Sequence, residues 1–403
     1  MALNHVLPRR SAPIERDRQQ HLVSVPHKGE IVKRMGWAVT AAVATFVLAQ
    51  SPVAQAAGPA GGWTAPSCTR VTGDGSVTFT ADDGATVAPT TGTLKSVSYT
   101  HGLVALDTPN TLLATHNSEL QRSTDAGCTW TRIATLDSGS TWLTAAPGGR
   151  AYAWEKSGRY LARVDGGNVT KLTSPTGDII GVGTDKARPG HLRLAGSDGQ
   201  LFDSTDAGAS WKPVGKLAFG EEASVYSVTF DPTDLNHAVA GGMATGGAVT
   251  TDGGATWIPS TGLSATPGGN ANLFSAVLSP ADPSVVYALG IDLVEAAPSS
   301  GAEGRHLYRS TDGGRTYTRI VDDTRDTELT NSTLLAPSPV DPNVLYFEYG
   351  TYFQGYGTDL YRYDARTGKV TKSHNAFDGI SAIAFNPAQP KVMYLGLEEV
   401  RVD

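Results

Sequence analysis

Past the N-terminus, no segment of this chain holds a 3.6-residue apolar period for more than two helical turns. Short apolar runs recur instead, each cut off by a turn containing Pro, Gly or Asp. Runs of that length with such boundaries predict strands. The clearest boundaries are Phe230-Asp-Pro-Thr-Asp234, Leu278-Ser-Pro-Ala-Asp282-Pro, Pro337-Ser-Pro-Val-Asp341-Pro and Phe385-Asn-Pro-Ala-Gln389-Pro. Each closes one apolar strand and precedes another, at His237–Gly241, Val285–Gly290, Val344–Gly350 and Lys391–Gly396. Proline ends the first strand because it has no N–H for the ladder and its φ suits a turn.

A second repeat is more specific. Four segments share the pattern Ser/Thr-x-Asp-x-Gly-x-Ser/Thr-aromatic: residues 123–130, 204–211, 250–257 and 310–317. Their aspartates are Asp125, Asp206, Asp252 and Asp312, and their closing aromatics are Trp130, Trp211, Trp257 and Tyr317. An Asp carboxylate accepts backbone N–H groups across a tight turn, and the Gly supplies a positive φ. The aromatic that follows buries an apolar face between sheets. These aspartates are therefore expected to lock hairpins and to take no part in catalysis.

The pattern resembles the Asp-box (BNR) repeat of sialidase-like and sortilin-like β-propellers. That resemblance implies an all-β fold of four-stranded antiparallel blades. The aspartates lie 81, 46 and 60 residues apart, so the first gap holds a degenerate blade, with strands at Trp142–Ala146 and Ala151–Glu155. A sixth blade ends near Leu360–Val370, and residues 377–403 supply only the inner strands of a seventh. Gly75–Thr80 and Ala85–Ala88 are expected to complete it. The expectation is a seven-bladed β-propeller, its ring closed by N- and C-terminal strands so that no sheet edge stays open.

The 46 Gly and 23 Pro make about one residue in six, and 40% of residues are hydrophobic, enough for a large core. The first 56 residues differ in character. A basic stretch from Arg9 to Arg34 precedes an apolar run from Trp37 to Ala49 and the small-residue pattern Ala54-Gln55-Ala56. This reads as a secretory leader (1–56) cleaved after Ala56, followed by a single propeller domain (57–403) outside the cell. Removing it leaves 25 Lys+Arg against 36 Asp+Glu, a net charge of −11. Such a chain repels nucleic acid and anionic lipid, so neither is an expected partner, and a monomer is expected. Cys68 and Cys128 are the only cysteines. In an exported chain they are expected to pair and to clamp the seam between blades one and seven.

Propeller enzymes gather their chemistry where inner strands line the central channel. The predicted inner strands are Ser96–His101, Thr141–Ala146, Ile179–Thr184, Val225–Phe230, Phe274–Ser279, Thr333–Pro337 and Ile380–Phe385. Beyond His101, Tyr99 and Tyr226 they carry no proton-transfer group, and glycoside hydrolysis usually needs two carboxylates. Arg132 and Arg319 follow repeat turns, away from the channel, and no Arg-Ile-Pro motif occurs. No catalytic residue, metal site or cofactor is expected, and a binding role takes precedence. A sialidase-like glycoside hydrolase and a sortilin-like or assembly-factor-like scaffold are the alternatives.

The loop Tyr349–Asp359 places Tyr352, Phe353 and Tyr356 around Gln354 between glycines, a candidate partner-binding loop. The leader, the start Ala-Gly-Pro-Ala-Gly-Gly-Trp at 57–63, the ring and this loop together resemble one family of secreted bacterial propellers. Membership would imply a non-enzymatic binder that promotes self-digestion of a thermolysin-type neutral metalloprotease. It would also imply a glutamine donor for the secreted bacterial transglutaminase. Of the glutamines after the leader, Gln354 is the best donor candidate, Gln200 follows, Gln121 requires an exposed hairpin, and Gln389 comes last.

Overall fold

The computed structural model describes residues 61–95, 98–221, 223–296, 303–350, 358–375 and 378–399. Among these residues every regular element is a strand, and seven antiparallel sheets follow one another around a ring. The chain is a seven-bladed β-propeller. The first blade runs β2 (Thr100–Ala105), β3 (Leu112–His116), β4 (Glu119–Ser123) and β5 (Thr131–Thr135). The second, the degenerate one, is β6 (Thr141–Ala146), β7 (Arg150–Glu155), β8 (Leu161–Asp165) and β9 (Asn168–Lys171). Blades three and four are β10 (Ile179–Thr184) to β13 (Lys212–Val214) and β14 (Val225–Asp231) to β17 (Ile258–Pro259). Blades five and six are β18 (Ala271–Ser279) to β21 (Thr318–Asp322) and β22 (Leu335–Pro337) to β25 (Lys369–Asn375).

The last sheet closes the ring as its repeats require. β26 (Gly379–Phe385) and β27 (Met393–Glu398) come from the C-terminal end, and β1 (Val77–Thr80) pairs with β27 from Val77↔Gly396 to Thr80↔Met393. Ala85–Ala88 does not form the expected fourth strand. Only the Ala88 N–H reaches Phe79, at 2.9 Å, and Pro89 has no N–H with which to extend the ladder. The first inner strand also lies four residues later than predicted, at Thr100–Ala105. Ser98, inside the expected Ser96–His101 strand, bridges Glu399 of the closing blade instead.

Each blade packs on the next through its strand faces. Between blades five and six, Tyr287, Leu289 and Leu307 meet Leu345, Phe347 and Tyr361, with the Phe347 and Tyr361 rings stacked at 4.9 Å. At the closing seam, Trp63, Val71, Val77, Leu112, Trp130 and Tyr394 form one cluster. Burying side chains of this size contributes roughly 1.5–3 kcal/mol each. The Tyr394 hydroxyl donates to the Ala126 carbonyl at 2.9 Å, and Trp63 Nε1 donates to Leu106 O at 3.1 Å. Cys68 and Cys128 are bonded, with Cα atoms 5.7 Å apart, and tie the segment before β1 to the first blade.

The repeat turns behave alike. Asp125 Oδ1 accepts the Thr129 N–H at 2.8 Å and the Ser123 hydroxyl at 2.8 Å, while Ser123 Oγ accepts the Gly127 N–H at 2.9 Å. Asp206, Asp252 and Asp312 repeat the pattern with Ser210, Thr256 and Thr316 N–H groups at 2.9, 2.9 and 2.8 Å. The four glycines hold φ between +85° and +95°, where a Cβ is strained. A fifth turn of this geometry sits at Thr80-Ala-Asp82-Asp-Gly84-Ala-Thr86, where Asp82 Oδ1 accepts the Thr86 N–H at 2.8 Å. Its closing residue is Val87 rather than an aromatic, which hid it from the pattern. Two closing aromatics also differ from expectation: Trp130 and Tyr317 are buried, whereas Trp211 and Trp257 are half-buried.

Candidate functional site

Strand alternation gives the propeller two unlike faces. One carries the Pro turns between first and second strands and the repeat turns between third and fourth. The other carries the hairpins between second and third strands and the connectors between blades. A cavity of about 1140 Å³ runs down the channel between them. At the Pro-turn end it is bounded by Asp107, Pro147, Lys186, Pro232 and Pro280. At the hairpin end Tyr99, Lys156, Phe274, Glu348 and Glu398 line it. A recess of about 310 Å³ adjoins that mouth and shares Lys156, Phe274 and Asn331 with it.

Of the residues singled out on inner strands, Tyr99 and His101 stack at 5.6 Å and face the cavity together. Tyr226 packs on Phe274 at 5.2 Å, beside the recess. Burial holds the His101 imidazole below its usual pKa, with the neighbouring His116 adding to the effect. The charged groups of the mouth come instead from second strands. Glu348 ends the buried run Val344-Leu-Tyr-Phe-Glu348 and is 5% exposed. Burial raises its carboxyl to about 8, although the Leu334 N–H donates to it at 3.2 Å. Glu398, at the end of β27, is equally buried and raises it further. Lys156 follows β7, its ammonium 5.6 Å from the Trp142 ring centroid, and burial lowers its pKa.

Reading only the inner strands for chemistry overlooks these three residues. An acid ending an otherwise apolar second strand was the available signal. The Glu348–Glu398 pair supplies carboxyl groups that the inner strands lack. No arginine among the described residues lines the cavity, so the substrate-carboxylate clamp expected of a sialidase is absent there. Arg132 pairs with Glu119, and Arg319 is held by Glu295 and Asp322, both on outer strands. His191 lies between Asp185 and Asp203 at 2.9 Å each, and His306 between Asp322 and Glu295 at 2.9 and 2.7 Å. Both rings brace strands. No group of three His, Cys, Asp or Glu among the described residues is arranged to hold a metal ion.

The glutamines separate by environment. Gln354, with Tyr352, Phe353 and Tyr356, lies outside the described residues; its hairpin is closed by the pair Gly350↔Thr358. Gln200 directly precedes the third strand of blade three (Leu201–Ser204), where its amide donates to Leu201 O and Val214 O at 2.9 Å each. Gln121 does not sit on an exposed hairpin. It is 3% exposed in the middle of β4, and its amide is bound to Asp74. Gln389, ranked last by sequence, has an exposed side chain on a Pro turn.

No protein-family model matches the chain. The dispase autolysis-inducing protein of Streptomyces mobaraensis is 83% identical over 372 residues, covering 92% of this chain and all of that one. Among solved structures, YCF48 from Cyanidioschyzon merolae matches with a TM-score of 0.51 at 15% identity, over 75% of this chain and 97% of that one. YCF48 bound to D1 peptide gives 0.50 at 13% identity, over 77% and 95%. A Niastella koreensis GH74 enzyme gives 0.44 at 21% identity, with 58% of this chain spanning only 33% of that one. The two YCF48 matches speak to the fold alone; the sequence match, which runs the full length of its relative, shows that the chain belongs to the dispase autolysis-inducing protein family.

Proposed function

We propose that this chain is a secreted binding protein that induces autolysis of a thermolysin-type neutral metalloprotease and has no active site of its own. The observation that carries the proposal is the 83% identity to a relative bearing that name, along that relative's whole length. A rigid ring with two broad faces is suited to gripping another protein, and its loops are free to carry the contacts. In this reading one face binds the protease away from its cleft and stabilises an opened form, which neighbouring protease molecules then cut.

A gel time course tests it. The protein is mixed with a thermolysin-type protease and both intact bands are followed. Faster loss of the protease than in its absence, with the propeller intact, is the expected result. A protease that persists unchanged, or is protected, refutes it.

The same proposal includes a second role, as glutamine donor to a bacterial transglutaminase. Acyl donation needs a glutamine able to enter another enzyme's cleft, which favours Gln354 on its long hairpin. The tied amide of Gln200 and the buried amide of Gln121 argue for slower reaction at those positions. Gln354→Asn is expected to remove most incorporation of a fluorescent amine, and full incorporation by that variant refutes the assignment. Export with cleavage after Ala56 belongs to the same picture. The intact mass of protein recovered from culture medium checks it.

A further inference from the structure

In five of the seven blades the inner strand carries one extra residue near its hairpin-end start, a bulge in its pairing with the second strand: His101, Ile180, Tyr226, Phe274 and Ser381. A bulge takes a side chain out of the in–out alternation and re-aims it. Each of these five residues borders the channel cavity or the adjoining recess. Blade two pairs without a bulge, and its Trp142 lines the cavity from the second position of the inner strand.

On the consecutive blades two to five this collar forms an arc containing one ammonium. Lys156 Nζ lies 5.6 Å from the Trp142 ring centroid, and Lys156 bridges Ile179 of blade three. Ile180 and Tyr226 share the recess of about 310 Å³ with Lys156, and Tyr226 packs on Phe274 with ring centroids 5.2 Å apart. Trp142, Tyr226 and Phe274 are all half-buried, so aromatic surface stays open beside the cation. No carboxylate among the described residues lies within ion-pair distance of the Lys156 ammonium. Asp178 also borders the recess, but it is exposed and makes no ion pair with Lys156. Glu348 and Glu398 belong to blades six and seven, outside the arc. Glu348 keeps its proton up to about 8, and Glu398 is already engaged within the protein.

A partly desolvated ammonium without a counter-charge favours an anion, since attraction is stronger there than in water. Among the described residues the recess holds no second cation, so a monoanion suits it better than a phosphate. The open aromatic surface calls for a flat apolar body. Pockets for small organic ligands run to ~300–1,000 Å³, and this recess, at the lower end, has room for one ring and a short linker. We propose that the hairpin-end mouth of the channel binds a small aromatic monocarboxylate, its carboxylate at Lys156 and its ring against Tyr226 and Phe274. The site is independent of the protease-directed role, and its test uses no protease.

That test is titration with 3-phenylpropionate, followed by calorimetry and by tryptophan emission, to which Trp142 beside Lys156 contributes. The comparison ligands are 3-phenylpropionamide, acetate and N-acetyl-Leu-Phe, all measured on the unsubstituted protein. Saturable one-to-one binding of 3-phenylpropionate is expected, with the amide and acetate weaker by about tenfold or more, the loss that goes with a charged hydrogen bond or a buried ring. Lys156→Met should bring the acid down to the level of the amide, and Phe274→Ala should weaken acid and amide alike, with thermal melts confirming that both variants fold. Absence of saturable 3-phenylpropionate binding overturns the proposal. So does equal binding of the amide or of acetate, or a folded Lys156→Met variant that still prefers the acid. Tighter binding of N-acetyl-Leu-Phe overturns it in favour of a peptide terminus. The acid–amide comparison decides the matter even where a variant does not fold.

Discussion

The two faces of the ring use their polar groups in opposite ways. On the face of the repeat turns, each Asp carboxylate is consumed within its own turn by N–H and hydroxyl donors at most four residues away. Asp206 and Asp252 are held near 2 in consequence, chiefly by the hydroxyls of Ser210 and Thr256. At the hairpin face, Glu348, Glu398 and Lys156 approach an open cavity from blades distant in sequence. A motif repeated along the chain here marks a structural device, whereas the ionisable groups lining the channel stand at positions that do not repeat. Repetition meets a need that every blade shares, and a site needs an exception.

The disulfide gives the largest expected effect by which to test that contrast. It anchors the repeat-turn face of the seam, and closing a loop of 60 residues contributes about 4 kcal/mol by chain-entropy arithmetic. The double variant Cys68→Ser/Cys128→Ser should therefore melt several degrees lower and unfold at lower denaturant, by calorimetry and urea titration. An unchanged melt would show that Trp63, Trp130 and Tyr394 hold the seam without it.

Glu348 gives the next largest effect, and it distinguishes the hairpin face by pH. Its folded value of about 8 lies above the usual 4.5, so the native state keeps a proton that the unfolded chain releases between these values. Stability on account of this group falls as pH rises from about 4.5 to 8, by on the order of 5 kcal/mol. Urea unfolding at pH 5 and pH 8 should show Glu348→Gln gaining on the parent protein at the higher pH. Parallel pH profiles would mean that the Glu348 carboxyl is better solvated than its burial indicates.

The repeat turns should respond with the opposite sign. Removing one partly buried carboxylate, as in Asp312→Ala, leaves the Thr316 N–H without its acceptor and should cost ~1–2 kcal/mol. Because the turn aspartates have lowered pKa values, their stabilisation is present above the ordinary carboxylate range and is lost as pH falls below it. Acid unfolding of Asp312→Ala should accordingly show a smaller loss on acidification below about pH 4 than the parent protein shows. The smallest effect is expected from Gln121→Asn in transglutaminase labelling. Its amide is buried against Asp74, so labelling of the native protein should not change.

Much of the ring was legible because its elements are local. The predicted strands Thr141–Ala146 and Ile179–Thr184 match β6 and β10 residue for residue, since Pro and Gly bound each apolar run. The errors fall where another blade intervenes. Ser98 bridges Glu399 and so begins no strand of the first blade, and Pro89 stops the ladder after Ala88. The fifth repeat turn escaped notice because only its aromatic was replaced, although its hydrogen bonds are intact.

The sequence by itself determined the blade count, the Asp turns, the closing of the ring from both chain ends and the cysteine pair. Each depends on short-range spacing, or on a count that leaves one arrangement open. Only the tertiary structure decided which side chains meet in the channel. Glu348 and Lys156 are 192 residues apart, and neither belongs to a motif. Their facing positions follow from the curvature of the whole ring, a property of how seven sheets pack.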